Sequence, residues 1–417
     1  MDLQRFTEEQ RVAIMHTDGP MLVLAGPGSG KTTVITERVR YLIEECGVHP
    51  GNILVITFTK AAAEEMKERY EAKAGTGKGT VNFGTFHAVF FKILRFAYNY
   101  EAANILKEDE RYKILREIAC THMQQEITDE KEFVESISGE ISRVKNERFS
   151  LDSYYSSNCP DEVFREIYTE YDRWLRKENK VDFDDMQLLC YELLTKRPDI
   201  LKQWQQKYTY VLIDEFQDIN RVQYDTVRLL AAPENNLFIV GDDDQSLYRF
   251  RGATVDLFTH YPERVKERLG IDIEEINLQT NYRSTENIIE HCNRFAELDQ
   301  EYQKARVANK PKIIAPDFEK DKMPILGMFR NNPQMLAKDL SVMINKLVNK
   351  GECDLKVLRV LDEDYYKKMN GNIDIAKFQQ IRAEKVKAGK EVESIKLKLD
   401  GEYGSASDIA ILSFSFI

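Results

Sequence analysis

The chain has 417 residues, 42% hydrophobic and 31% charged, with 59 Lys and Arg against 70 Asp and Glu for a formal net charge of -11. That length suggests two or three domains, the composition excludes a mainly disordered chain, and the negative balance disfavours indiscriminate adhesion to polyanions, so any nucleic-acid contact must come from a local groove. Apolar runs such as Met21 to Ala25 are too short to cross a bilayer, and MDLQRFTEEQ lacks a basic segment followed by an apolar one, which reads as a soluble cytoplasmic protein with no membrane partner.

In chain order, Pro20 to Ala25 reads as a buried strand, a Gly-rich turn follows, and Thr32 to Cys46 has apolar residues at helical spacing. Asn52 to Thr57 (NILVIT) is a second strand and Ala61 to Tyr70 is again helical. From about Phe90 to Lys180 the chain is charged, Tyr-rich and helical in period, with almost no Gly or Pro, and is expected to be a helical insertion. The runs Tyr210 to Ile213 (YVLI) and Leu237 to Val240 (LFIV) each end in acidic residues, where parallel strands present ligands, so the fold class is α/β with a doubly wound parallel sheet. After Asn277 a strand-like LQT leads to a helix at Thr285 to Phe295, and Ile409 to Leu412 is expected as a strand of a second, unfinished α/β domain. Asp362 to Tyr403, rich in Lys and Glu, reads as a solvated surface insertion, and no repeat of solenoid or propeller type is visible. The six cysteines, Cys46, Cys120, Cys159, Cys190, Cys292 and Cys353, stand singly and are expected as reduced thiols in or near the core.

Ala25-Gly26-Pro27-Gly28-Ser29-Gly30-Lys31-Thr32 lies between a strand and a helix, the context of a phosphate-binding loop. Its glycines let backbone N–H groups turn onto phosphates, Lys31 neutralises β and γ oxygens, and the Thr32 hydroxyl suits Mg²⁺. Asp214-Glu215 ends the strand YVLI; Asp214 is expected to hold the metal through water and Glu215 to orient or deprotonate the attacking nucleophile. In Gly241-Asp242-Asp243-Asp244-Gln245 the acids would repel one another without a cation or basic partner, and the neutral Gln245 suits sensing a γ-phosphate. Ser246 to Gly252 follows, where Tyr248, Phe250 and Arg251 interleave aromatic and cationic character as in platforms that stack unpaired bases.

Together these motifs resemble those of the UvrD/Rep/PcrA group of superfamily 1 DNA helicases, over Leu3 to about Phe295. The resemblance implies a RecA-like P-loop NTPase, with a first domain over 1–88 and 183–275, a helical insertion over 89–182 and a partial second RecA-like domain over 276–417. It implies that Gln10 reads adenine, that ITFTKAAAEEM with Phe58 and Thr59 contacts single-stranded DNA, and that Gly84-Thr85-Phe86-His87 does so as well. Within Asp214-Glu215-Phe216-Gln217-Asp218, Gln217 couples the nucleotide site to the next motif. Asn281-Tyr282-Arg283-Ser284-Thr285 matches the family's fourth motif, Tyr282 stacking on adenine and Arg283 reaching the γ-phosphate as an arginine finger. Arg38 is a further nucleotide contact, and Thr33 stands where the family commonly has an arginine. The acids of Asp182-Phe183-Asp184-Asp185 read as helix caps.

The implied activity is that of an ATP- and Mg²⁺-dependent 3′ to 5′ DNA helicase acting on single-stranded DNA and on duplexes with a single-stranded tail, in repair or recombination. No match to the family's two later motifs follows Leu412, which suits a fragment or a reduced protein. The alternative is therefore an ATP-gated single-strand binding module with little turnover.

Overall fold

The computed structural model describes residues 1–74, 79–122, 129–246, 254–298, 306–307, 312–314, 333–350, 352–357 and 393–398. Tyr248, Phe250, Arg251 and the run Ile409 to Leu412 lie outside them.

Short runs of branched aliphatic residues form the strands β1 (Met21–Ala25), β2 (Ile53–Thr57), β3 (Asn82–Thr85), β4 (Tyr210–Ile213), β5 (Leu237–Gly241) and β6 (Glu274–Leu278). They make one all-parallel sheet in the order β3-β2-β4-β5-β1-β6, with Val23 beside both Val240 and Ile276. Every residue of β1, β2 and β5 is buried, as expected of parallel strands covered on both faces. The strand period of two divides the core. Leu22, Leu24, Ile56, Ile213 and Ile239 face one cluster, while Val23, Ala25, Val55, Leu212 and Val240 face the other. On the second face lie α1 (Glu8–Met15), α2 (Lys31–Glu44) and α3 (Lys60–Ala74), contributing Ile14, Ile35, Val39 and Met66.

The sequence reading misses β3 and shortens β6 because both are edge strands: β3 is half-buried throughout, and β6 starts with the exposed Glu274 and Glu275. It also starts the insertion too early. Helix α4 (Phe86–Ala97) places Phe90, Ile93 and Leu94 in the first-face core, so it belongs to the sheet's own layer. The separate helical core is built by α5 (Glu108–His122), α6 (Glu130–Glu147) and α7 (Asp161–Lys177), around Leu115, Ile137, Phe164 and Ile167. The chain enters and leaves this bundle at one place, where Ile105 bridges Val181 and Leu106 N–H donates to Val181 O at 2.8 Å. The first-face layer resumes with α8 (Phe183–Lys196), α9 (Pro198–Lys207) and α10 (Arg221–Ala231), and is extended by α11 (Asp256–Thr259) and α12 (Tyr261–Leu269).

Buried charges fasten the bundle to α8. Asp182 caps α8, accepting from Asp185 N–H at 2.7 Å, and its carboxylate also takes Lys145 at 3.0 Å and the Tyr171 hydroxyl at 2.9 Å. Asp184 accepts from Ser142 at 2.6 Å and Asn146 at 2.9 Å and pairs with Arg111 at 3.1 Å, while Asp185 pairs with Lys145 at 2.7 Å. Burial opposes ionisation of Asp182, but Lys145 and Arg111 outweigh it and hold the carboxyl down at about 2. Capping is thus only part of what this acidic run does.

The chain divides into two compact units, residues 1–289 with 305–320, and 290–304 with 321–417. In the second unit, a helix over Pro333–Lys350 precedes β7 (Glu352–Val357), which pairs antiparallel with β8 (Glu393–Lys398). Among the described residues this unit shows an antiparallel pair where the sequence suggested parallel α/β architecture, and β8 falls inside the tract read as a surface insertion. Among the described residues no helix is long and apolar enough to cross a membrane. Cys46, Cys120, Cys159, Cys190 and Cys292 are unpaired, and Cys190 is buried whereas Cys46, Cys120 and Cys292 are exposed, so the expectation of core thiols fails for those three.

Replacing Lys145 by Met should strip Asp182 and Asp185 of their shared cation and cost about 3–5 kcal/mol of stability. Lys131→Met, at a lysine 76% exposed and paired with Glu135, should cost less than about 1 kcal/mol. Urea unfolding midpoints of the two variants compare them directly.

Candidate nucleotide site

The carboxyl ends of all six strands lie along one edge of the sheet, and each carries a motif singled out in the sequence. In spatial order these are His87 after β3, Phe58 and Thr59 after β2, Asp214 and Glu215 after β4, Asp242 to Gln245 after β5, the glycine loop after β1, and Asn281 to Arg283 after β6.

The glycine loop turns from β1 into α2 through Gly28 at φ 67° and Gly30 at φ 89°, both in the left-handed region. Ser29 Oγ donates to Gly26 O at 2.7 Å and closes the turn. Gly30 caps α2 without a side chain, so the first-turn N–H groups of Lys31, Thr32 and Thr33 keep their capacity to bind an anion at the positive end of the helix. Lys31 Nζ meets Glu215 Oε2 at 2.8 Å, which joins the loop to the acidic strand end. Glu215 sits at φ 51°, in the left-handed region, so the strand direction ends at Asp214 and the chain turns there.

Asp214 is 6% exposed and its Oδ1 is buried without a hydrogen-bond partner. Burial first, then the charge of Glu215, pushes its carboxyl up to about 7, with Lys31 opposing. Asp218 is raised to about 7 by the same two causes, and its Oδ1 also lacks a partner. Gln217 bridges two motifs: its Nε2 donates to Glu215 Oε2 at 2.8 Å and its Oε1 accepts from Asp242 N–H at 3.0 Å. Gly241 makes room for it, since a Cβ there would stand 2.6 Å from Gln217 Oε1. The aspartate run has the basic partner its repulsion called for, as Arg306 pairs with Asp244 at 2.6 Å and Val307 N–H donates to Asp243 at 2.7 Å.

Beyond β6 the chain lies against the glycine loop. Tyr282 N–H donates to Gly28 O at 2.9 Å, and Asn281, buried, accepts from Arg283 N–H at 2.8 Å and Ser284 N–H at 2.9 Å. Tyr282 is 44% exposed and Arg283 is exposed, so both side chains remain accessible beside the loop. Gln10 Nε2 donates to Ser29 O at 3.2 Å, and with Ser29, Leu278, Thr280 and Tyr282 it lines a cleft of about 60 Å³. Gln10 also completes a capping box with Thr7.

Other expected residues are engaged elsewhere. Arg38 is 1% exposed, donates to the carbonyls of Ala13, His16 and Thr17 behind α1, and lies 4.5 Å over the Phe238 ring. It is a buried support of the second face rather than a nucleotide contact, and burial pushes its guanidinium down to about 9. Gln245 donates to Asp242 at 2.6 Å, which ties its amide within its own turn. Thr59 is exposed and accepts from Ala62 N–H at 3.2 Å as the cap of α3, next to the half-buried Phe58. His87 is half-buried, packed edge-on to Phe183 at 5.1 Å and bonded to Gln187 at 3.1 Å. Sequence reasoning missed Asn281 as a backbone clamp and Arg306 as counter-ion; an Asn just before a turn is a signal for the first, and nothing local marks the second.

The left-handed glycines, the uncapped start of α2 and the orphaned buried oxygen of Asp214 fit a nucleotide phosphate with its divalent cation, which Thr32 and Asp214 would hold. An open parallel sheet with these features is a RecA-like P-loop NTPase fold. The chain belongs to the UvrD/REP helicase N-terminal domain family, which matches residues 6–266. It is 41% identical over 293 residues to YjcD of Bacillus subtilis (strain 168), covering 67% of this chain and 37% of that protein. Against the ATP-dependent DNA helicase PcrA of the same organism the identity is 38% over 291 residues, covering 68% and 38%. Against PcrA of Staphylococcus epidermidis RP62A it is 35% over 307 residues, covering 72% and 41%. The chain therefore spans about two-fifths of the length of these relatives.

Gly28→Ala tests the loop. A Cβ at Gly28 would lie 2.6 Å from Arg283 Cβ at a φ that disfavours side chains, so nucleotide affinity should fall at least tenfold by calorimetric titration. Gly47→Ala, at φ 69° with nothing within 4 Å, should carry the same backbone strain of ~1–2 kcal/mol and leave affinity unchanged.

Proposed function

We propose that the chain is the nucleotide-binding motor portion of an ATP-dependent DNA helicase of the UvrD/Rep type, working in the cytoplasm and tracking 3′ to 5′ along single-stranded DNA. The observation that carries this reading is the order of the strand ends. The Lys31 loop and the Asp214-Glu215 pair stand on strands separated only by β5, and the two segments with stacking and polar character, Phe58-Thr59 and His87, follow on the next two strands. The reading includes the discontinuous layout of a first RecA-like domain, an inserted helical bundle and the start of a second domain.

In this mechanism the N–H groups of α2 and the Lys31 ammonium bind the β and γ phosphate oxygens, and Lys31 exchanges its bond to Glu215 for the phosphates. Thr32 and Asp214 would hold Mg²⁺, which would supply neutralisation of phosphate charge. Glu215 accepts a proton from the water that attacks the γ phosphorus, and the β–γ bridging oxygen leaves with ADP. Gln217 keeps Glu215 in register with the β5 end through its two bonds. Arg283 stabilises the charge that spreads over the transferred group, and Tyr282 covers the adenine. Single-stranded DNA is the strand contacted at Phe58 and His87, and a tailed duplex is the substrate for unwinding.

Lys31→Ala removes charge-assisted bonds worth ~1.5–3 kcal/mol each, so ATP affinity should fall at least tenfold in a calorimetric titration. Glu215→Gln should retain ATP binding while hydrolysis drops by ~10² to 10⁴ in a phosphate-release assay. Normal turnover by the Gln variant at saturating ATP would reassign the water-activating group. Nucleotide and oligonucleotide binding without any hydrolysis would favour the single-strand clamp over the motor.

A further inference from the structure

Gln187 lies in α8, 3% exposed, and belongs to none of the motifs described above. Both polar atoms of its side chain are engaged. Nε2 donates to His87 Nε2 at 3.1 Å and to Phe183 O at 3.3 Å, and Oε1 accepts from Asn220 Nδ2 at 2.9 Å. His87 opens α4 just past β3, on the side of the sheet assigned to DNA. Asn220 ends the short loop that begins at Glu215. The sheet route between those two strand ends crosses two strand spacings, ~10 Å, through β2. The Gln187 amide joins the segments that follow those two strands through a single side chain.

Both ends of this bridge are tied to a segment at the carboxyl edge of the sheet. Asn220 caps α10 through Gln223 N–H at 2.9 Å, and Gln223 Oε1 accepts in return from Asn220 N–H at 3.1 Å. Asp218 N–H donates to Glu215 O at 3.0 Å, which makes the loop one compact turn. At the other end, His87 accepts at Nε2, so its single ring proton is on Nδ1. Burial lowers its basicity, with Asp184 opposing, in keeping with a neutral ring.

We propose that Gln187 is a positioning residue that couples DNA contact at His87 to the setting of the Glu215 loop. The inference rests on the reading of the strand ends given above. A phosphate oxygen that accepts from His87 Nδ1–H polarises the ring and makes Nε2 a stronger acceptor, which tightens the bond from Gln187. The amide then holds Asn220, and with it the turn that orients Glu215. By linkage, a nucleotide that sets this turn raises affinity for the strand by the same factor.

The test is a linkage measurement on the full chain. Affinity for a labelled oligothymidylate is read with and without a saturating non-hydrolysable ATP analogue, and affinity for the analogue alone is read by calorimetry. The parent chain should show a ratio of about fivefold or more. Gln187→Met, similar in length and without hydrogen bonds, should bring the ratio to within about twofold of unity while each ligand alone binds within about threefold of the parent. Asn220→Ser keeps a cap for α10 but removes the amide donor, and should lose the coupling in the same way. His87→Gln offers an amide oxygen to Gln187 and should retain it. A parental ratio in either Gln187→Met or Asn220→Ser, whichever folds, overturns the proposal, as does a parent chain that binds both ligands without coupling. A parent chain that binds neither ligand overturns the helicase reading itself.

Discussion

β1, β2 and β5 are buried along their whole length on both faces, so their side chains are committed to packing and polar chemistry has room only beyond the last residue of each strand. Parallel pairing then gathers those last residues on one edge. The order β3-β2-β4-β5-β1-β6 makes a row of segments that are far apart in the chain. The glycine loop, the acidic turn and the aspartate run fall on three adjacent strands, and contacts such as Lys31 to Glu215 and Gln217 to Asp242 follow from that adjacency.

Charge is handled by local pairing inside an acidic chain. Glu37 of α2 is fully buried, yet it holds Arg5 and Arg40 at 2.9 Å and Lys73 at 2.7 Å, which ties the helix behind the glycine loop to α3. The acids of the α8 entry are matched by Arg111 and Lys145. Around Asp214 and Asp218 the compensation is incomplete: both carboxyls are raised and each has an oxygen without a partner. An uncompensated pair of buried acids beside a glycine loop is expensive unless a cation serves the site, and such imbalance marks a place of chemistry better than charge count does.

The parts of this arrangement that were readable in the sequence are those written locally. The loop from Ala25 to Thr32 and the pair Asp214-Glu215 need only a strand before them to be recognised. Edge strands were not readable, because β3 is half-buried and β6 opens with two exposed glutamates, so neither has the apolar run that marks the centre of the sheet. Arg38 misled because helical spacing from the loop says nothing of depth, and its guanidinium went to the carbonyls behind α1. Arg306, Asn281 and Gln187 act through partners distant in the chain, and a single sequence does not carry such pairings.

The bridge between Ile105 and Val181 brings the two ends of the helical bundle to neighbouring positions. For the sheet, everything between them is topologically a short loop, and once the bundle has formed the entropy of bringing β4 onto β2 depends on that gap rather than on the length of the bundle. The bundle has its own apolar core, so it can form from contacts local in the chain before β4 and β5 arrive. The crossing at Ile105 and Val181 thus lets a helical module sit inside a parallel sheet while adding little to the loop that the sheet must close.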